Sequence, residues 1–165
     1  MRLGRYLGLP LRDRRLTGCS RNAPFILGFR AVVYALAGGN TVVFKGSELS
    51  PRCFWAIGDV LREAGLPDGV INVIYHRPED AAEVTTALIE HPAVRKVNFT
   101  GSTAVGAIIA ATAGKNLKPV LMELGGKASA IVCEDADIQK AAFQCTLGAF
   151  LHVRYTISFM QWYLS

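Results

Sequence analysis

Val94-Arg95-Lys96-Val97-Asn98-Phe99-Thr100-Gly101-Ser102-Thr103-Ala104-Val105-Gly106 reads as a strand that passes through a glycine directly into a helix. The extended part, Val94 to Phe99, is rich in β-branched and aromatic residues. The stretch from Ser102 to Ala113 is Ala-rich and closes at Gly114. A helix that begins at the end of a strand leaves its first N–H groups unpaired and its positive dipole end open, which suits an anion. Gly101 lets the backbone come close, and the Ser102 hydroxyl is placed to donate to a phosphate oxygen. The plainer alternative is that Ser102 only caps the helix. The glycine spacing also differs from the Gly-x-Gly-x-x-Gly dinucleotide fingerprint.

The same alternation extends outward. Upstream, Pro24 opens a helix that Gly38-Gly39-Asn40 stops, and Thr41 to Phe44 is a short strand of buried type. Ser50-Pro51 caps a second helix that ends at Gly65, and Val70 to Tyr75 is the next strand. Pro78 to Glu90 is helical. Downstream, Pro119 to Met122 and Ala128 to Val132 are short extended runs, and a last helix over 135–151 has Asp135 or Asp137 as its cap. Strands that alternate with helices form βαβ units. The predicted fold is therefore α/β, a Rossmann-like doubly wound parallel sheet covered on both faces.

Composition narrows the function. The 165 residues are 51% hydrophobic and 19% charged, which suits one globular domain and argues against disorder. The longest apolar stretch, Ala31 to Gly39, is far short of a membrane span, so no membrane partner is expected. The net charge of +5 is local: residues 1–21 hold six arginines against Asp13, and the rest carries twelve basic and twelve acidic residues. No nucleic-acid partner is expected, because such a groove needs cations clustered on a folded face. The Arg-rich opening resembles a mitochondrial presequence in charge, but Gly4, Gly8 and Pro10 interrupt any amphipathic helix. A cytoplasmic location is expected, with the mitochondrion as the alternative. Cys19, Cys53, Cys133 and Cys145 show no CxxC and no ligand-like spacing with His76, His91 or His152, so no metal site is expected. Cys133 and Cys145 are expected to be small buried hydrophobes.

Two more stretches bear on chemistry. Lys45 and Glu48 lie just beyond the C-terminal end of a strand, where open α/β sheets bind ligands. A carboxylate there accepts hydrogen bonds from ribose hydroxyls and an ammonium donates to them; otherwise the segment is a solvated loop. In Met122-Glu123-Leu124-Gly125-Gly126-Lys127 a lone acid stands between apolar neighbours. Apolar surroundings would raise its pKa and suit general-base work, whereas the bland reading is an acid at an exposed strand end.

Taken in order, these stretches resemble the aldehyde dehydrogenase superfamily. Asn22-Ala23-Pro24 is similar to the end of its Pro-Trp-Asn-x-Pro motif, and Lys45-Gly46-Ser47-Glu48 to its Lys-Pro-Ser/Ala-Glu ribose motif. Gly101-Ser102-Thr103-x-Val105-Gly106 resembles its coenzyme loop, and Glu123 to Lys127 its glutamate active-site signature. Gly65 to Val73 is also typical, and members acting on aromatic aldehydes, such as vanillin or salicylaldehyde, are the nearest in character. The resemblance implies an aldehyde substrate and NAD as cofactor, with NADP as the alternative. It implies that Asn22 donates to the oxyanion formed when a thiolate adds to the aldehyde, and that Glu123 activates the water that hydrolyses the thioester. Lys45 and Glu48 would hold the adenosine ribose, Gly101, Ser102 and Gly106 the pyrophosphate, and the Leu124 backbone the nicotinamide amide.

The chain also departs from the family. Ser20-Arg21 stands where Pro-Trp is expected. The family's nucleophile lies in a Gly-Gln-x-Cys segment after the last helix, and that place holds Arg154-Tyr155-Thr156-Ile157. Cys145 is about three helical turns too early to replace it. The expected organisation is a leader over 1–21, an NAD-binding domain over 22–152 and a foreign tail over 153–165, both ends loosely packed. The catalytic domain, the second ribose-binding glutamate and the oligomerisation strands would be missing, and the chain alone would be inactive. A nucleotide-binding module without catalysis and a half-enzyme completed by another chain are the competing classes.

Overall fold

The computed structural model describes residues 14–18, 23–126, 128–150 and 160–162. The chain divides into two compact units, Met1–Glu123 and Leu124–Ser165. In chain order the first holds β1 (Arg14–Gly18), α1 (Pro24–Ala37), β2 (Thr41–Lys45), α2 (Pro51–Glu63) and β3 (Ile71–Ile74). A 3-10 turn (Pro78–Asp80), α3 (Ala81–Glu90), β4 (Val94–Gly101), α4 (Thr103–Lys115) and β5 (Val120–Leu124) follow. The sheet order is β3-β2-β1-β4-β5, and the pairs β1–β2, β2–β3 and β1–β4 are parallel. The Rossmann-like α/β expectation holds.

The central strand corrects one expectation. Residues 14–18, assigned above to a loosely packed leader, are hydrogen-bonded between β2 and β4, with Leu16 opposite Val43 and Val97. Leu16 and Thr17 are buried. A strand flanked on both sides satisfies its backbone groups through its neighbours and needs few apolar side chains of its own.

Alternate strand residues face opposite ways, and each face has its own core. On one face α1 and α2 pack Val32, Leu36, Phe54 and Ile57 against Val42 and Phe44, with the Phe44 and Phe54 rings edge to face at 5.3 Å. Gly28 permits this contact, since a Cβ there would stand 2.4 Å from Ile57 Cδ1. On the other face α3 and α4 bring Ile89, Ile109 and Ala113 onto Leu16 and Val97. Lys118 Nζ donates to the carbonyls of Ile89 and His91 and so satisfies the end of α3.

The caps differ in detail from the sequence reading. Ser102 caps α4, its Oγ accepting from Val105 N at 3.3 Å. Ser50 makes no side-chain cap on α2, and its hydroxyl is buried without a hydrogen-bond partner; Pro51 alone presets that first turn. In the second unit β6 (Ala128–Ala130) pairs in parallel with β7 (Met160–Trp162), so part of the supposedly loose tail is a strand. Here α5 (Ile138–Phe150) is capped by Asp137 Oδ1, which accepts from Lys140 N at 3.0 Å. Cys145 is buried as expected, but Cys133 is exposed, because β6 ends three residues before it.

Candidate functional site

The strand order reverses direction between β1 and β4, and ligands of open α/β sheets bind at the C-terminal ends of strands beside such a switch. A cleft of about 470 Å³ lies there, on the face covered by α3 and α4. Gly18, Lys45 and Gly101 contribute the ends of β1, β2 and β4, and Glu48 projects from the loop after β2. Ala82 and Thr85 of α3 and Val105 and Ile108 of α4 line its sides. Small-molecule sites span about 300–1,000 Å³, so the space suits part of a nucleotide.

Three of the residues singled out in sequence thus meet in one cleft: Lys45, Glu48 and Gly101. Burial holds the Lys45 ammonium below its ordinary value, and the Glu48 carboxylate pulls it partly back. A desolvated cation with an acid beside it is an arrangement that ligand hydroxyls can join. Gly101 has a reason that the sequence did not reveal. A Cβ at 101 would lie 2.5 Å from Phe99 Cζ, so the glycine leaves room for the Phe99 ring, which also lines the cleft. Ser102 spends its Oγ lone pair on the cap, leaving its proton free to donate, and Gly106 is buried in the second turn of α4. Leu124 closes β5.

Glu123 is on the opposite face. It shares a smaller cleft, of about 270 Å³, with Arg15, Thr17, Arg30, Lys96 and Asn98. Its carboxylate is 48% exposed and its Oε2 lies 3.9 Å from Arg30 Nη2. In place of an enclosed apolar setting it has a half-exposed cleft in which three cations stand beside Ala31, Ala35 and Leu121. Asn22 lies outside the described residues. Its neighbour Ala23 adopts a left-handed backbone (φ 43°, ψ 54°) at the start of α1, which a non-glycine residue occupies at a cost of roughly 1–2 kcal/mol.

One buried group went unnoticed in the sequence. His76, two residues beyond the end of β3, has a side chain only 2% exposed, and its Nε2 lies 3.9 Å from Glu48 Oε2. The rule that flagged Lys45, a polar residue just past a strand's C-terminal end, would have flagged it too.

The aldehyde dehydrogenase family model matches residues 19–153. The chain belongs to the aldehyde dehydrogenase family. Over 131 residues this aldehyde dehydrogenase chain is 53% identical to vanillin dehydrogenase of Pseudomonas fluorescens, covering 79% of the chain and 27% of the relative. It superposes on the salicylaldehyde dehydrogenase of Pseudomonas putida G7, solved with salicylaldehyde, at a TM-score of 0.81 and 46% identity, over 86% of the chain and 29% of that structure. Aldehyde dehydrogenase C of Pseudomonas syringae, solved with NAD+ and octanal, gives a TM-score of 0.84 at 32% identity, over 93% and 31%. The chain spans under a third of the length of these relatives.

Proposed function

We propose that the chain is the cofactor-binding part of an aldehyde dehydrogenase that oxidises an aromatic aldehyde to its acid with NAD, NADP being the alternative. The observation that carries this reading is the convergence of Lys45, Glu48 and Gly101 on one cleft at the switch point of the sheet. There Glu48 accepts from the adenosine ribose hydroxyls and Lys45 donates to them. Gly101 and Ser102 present the start of α4 to the pyrophosphate, Gly106 keeps that turn close, and the Leu124 backbone meets the nicotinamide amide. The bound nicotinamide supplies a hydride acceptor. Asn22 would stabilise the oxyanion, and Glu123 would deprotonate the hydrolytic water.

Calorimetry with NAD tests the cofactor assignment. Glu48→Ala should weaken binding, and equal affinity of the two proteins would defeat the ribose role. The 165-residue chain by itself should produce no NADH, followed at 340 nm, from aromatic or aliphatic aldehydes. Residues 154–157 hold no cysteine where the family's nucleophile stands, and losing a nucleophile costs several powers of ten. Turnover abolished by Glu123→Ala would refute this.

A further inference from the structure

His76 is held in an unusual way. Its Nδ1 stands 2.7 Å from the carbonyl oxygen of Arg77, an atom that only accepts, so Nδ1 must carry a proton. Its Nε2 is buried, has no hydrogen-bond partner, and points at a second acceptor, Oε2 of Glu48, 3.9 Å away. In the neutral ring with the proton on Nδ1, an Nε2 lone pair faces a carboxylate, and the two repel. A second proton reverses this: Nε2 becomes a donor, and a movement of about 1 Å closes a charge-assisted hydrogen bond to Oε2. Both ring nitrogens then have acceptors, and no polar atom remains stranded.

We propose that His76 is a positioning residue for Glu48: by donating from Nε2 to Oε2 it fixes the carboxylate so that Oε1 is presented to ligand hydroxyls in the cleft. Glu48 is the only group of this pair that lines the cleft, so His76 acts from behind it. The proposal rests on the reading that Glu48 binds the ribose. His76 stands against Glu48, whose charge Lys45 also feels. The Tyr75 hydroxyl next to it is committed to the Pro51 carbonyl at 2.9 Å. The Arg77 guanidinium is committed to Asp80 at 2.8 Å and Glu79 at 3.6 Å. Glu48 is thus the acid that faces Nε2.

Two measurements test this, the first without ligand. The 15N resonances of the His76 ring are recorded at one pH in the chain and in Glu48→Gln. The Nε2 resonance should move when Glu48 is replaced, because it loses its acceptor, and identical spectra would overturn the proposal. In the second, calorimetry with NAD compares the unaltered chain with His76→Leu, His76→Gln, Glu48→Gln and the His76→Leu/Glu48→Gln double variant. His76→Leu should bind about threefold to tenfold more weakly, the size of one lost hydrogen bond. His76→Gln, which keeps a donor, should recover most of that. His76→Leu should have no further effect once Glu48 is replaced. If Glu48→Gln weakens binding but His76→Leu does not, the positioning role is wrong and the ribose reading stands. If Glu48→Gln leaves affinity unchanged, the ribose reading fails, and the ring resonances alone then decide whether the two side chains are joined.

Discussion

Leu16→Ala tests whether the Arg-rich opening supplies the middle of the sheet. Leu16 is 2% exposed and packs with Ile89, Val97 and Ile109 beneath α3 and α4. The change removes three carbons, worth roughly 0.8 kcal/mol each in transfer, and leaves a cavity whose walls belong to two helices and two strands. The sum should be about 3–4 kcal/mol, inside the range of about 2–5 measured for such truncations. With a urea slope of about 2 kcal/mol per molar, the unfolding midpoint should fall by about 1.5–2 M. Circular dichroism during urea titration measures it, with Ile26→Ala as control: Ile26 is 74% exposed on α1, and its loss should cost under about 0.5 kcal/mol. If Leu16→Ala and Ile26→Ala unfold at the same urea concentration, β1 is not the central strand.

Lys45→Met should raise the urea midpoint near neutral pH while weakening NAD binding. Burial holds this ammonium below the ordinary 10.5, so its charged form costs more folded than unfolded, and stability rises as pH climbs through the depressed value toward 10.5. The advantage of the methionine should accordingly shrink over that window; an advantage constant with pH would show that packing, not charge, is responsible. Ser102→Ala should cost about 1 kcal/mol of stability through the lost cap, whereas Ser102→Asp should keep the cap yet repel a pyrophosphate, lowering NAD affinity without lowering the midpoint. Equal NAD affinity of Ser102→Asp and the unaltered chain would remove the phosphate from this helix start. Gly101→Ala must displace the Phe99 ring from its 2.5 Å overlap and should weaken NAD binding, read by calorimetry; unchanged affinity would mean that ring lies outside the ligand's path.

The alternation of β-branched runs and capped helices made β2, β3 and β4 legible to within two residues at nearly every boundary, because each is bounded by glycine, proline or a capping residue. It missed β1, where Arg14-Arg15 precedes a single large apolar residue. In a central strand the neighbours supply the hydrogen bonds, and Arg15 and Thr17 line the cleft of Glu123 instead of a packed layer. Lys45 and Glu48 were visible from their place past a strand end. The environment of Glu123 was not, since Leu121 and Leu124 beside it in sequence say nothing of Arg30, which arrives from a helix ninety residues earlier. Phe99 read only as the end of a strand, and its need for a glycine at 101 depends on where its ring lies.

Strand β4 serves two tenants. Val97, Phe99 and Gly101 line the cleft of Lys45 and Glu48, Lys96 lines that of Glu123, and Asn98 and Thr100 touch both. Substitutions at 97, 99 and 101 can retune nucleotide preference while leaving the surroundings of the acid intact, and one at Lys96 can do the converse. An inserted or deleted residue within the strand does neither: it exchanges the two sets, turning a lysine toward one compartment and a phenylalanine toward the other. Lineages that diversify this sheet are therefore free to drift in residue type along β4 but are locked in its length.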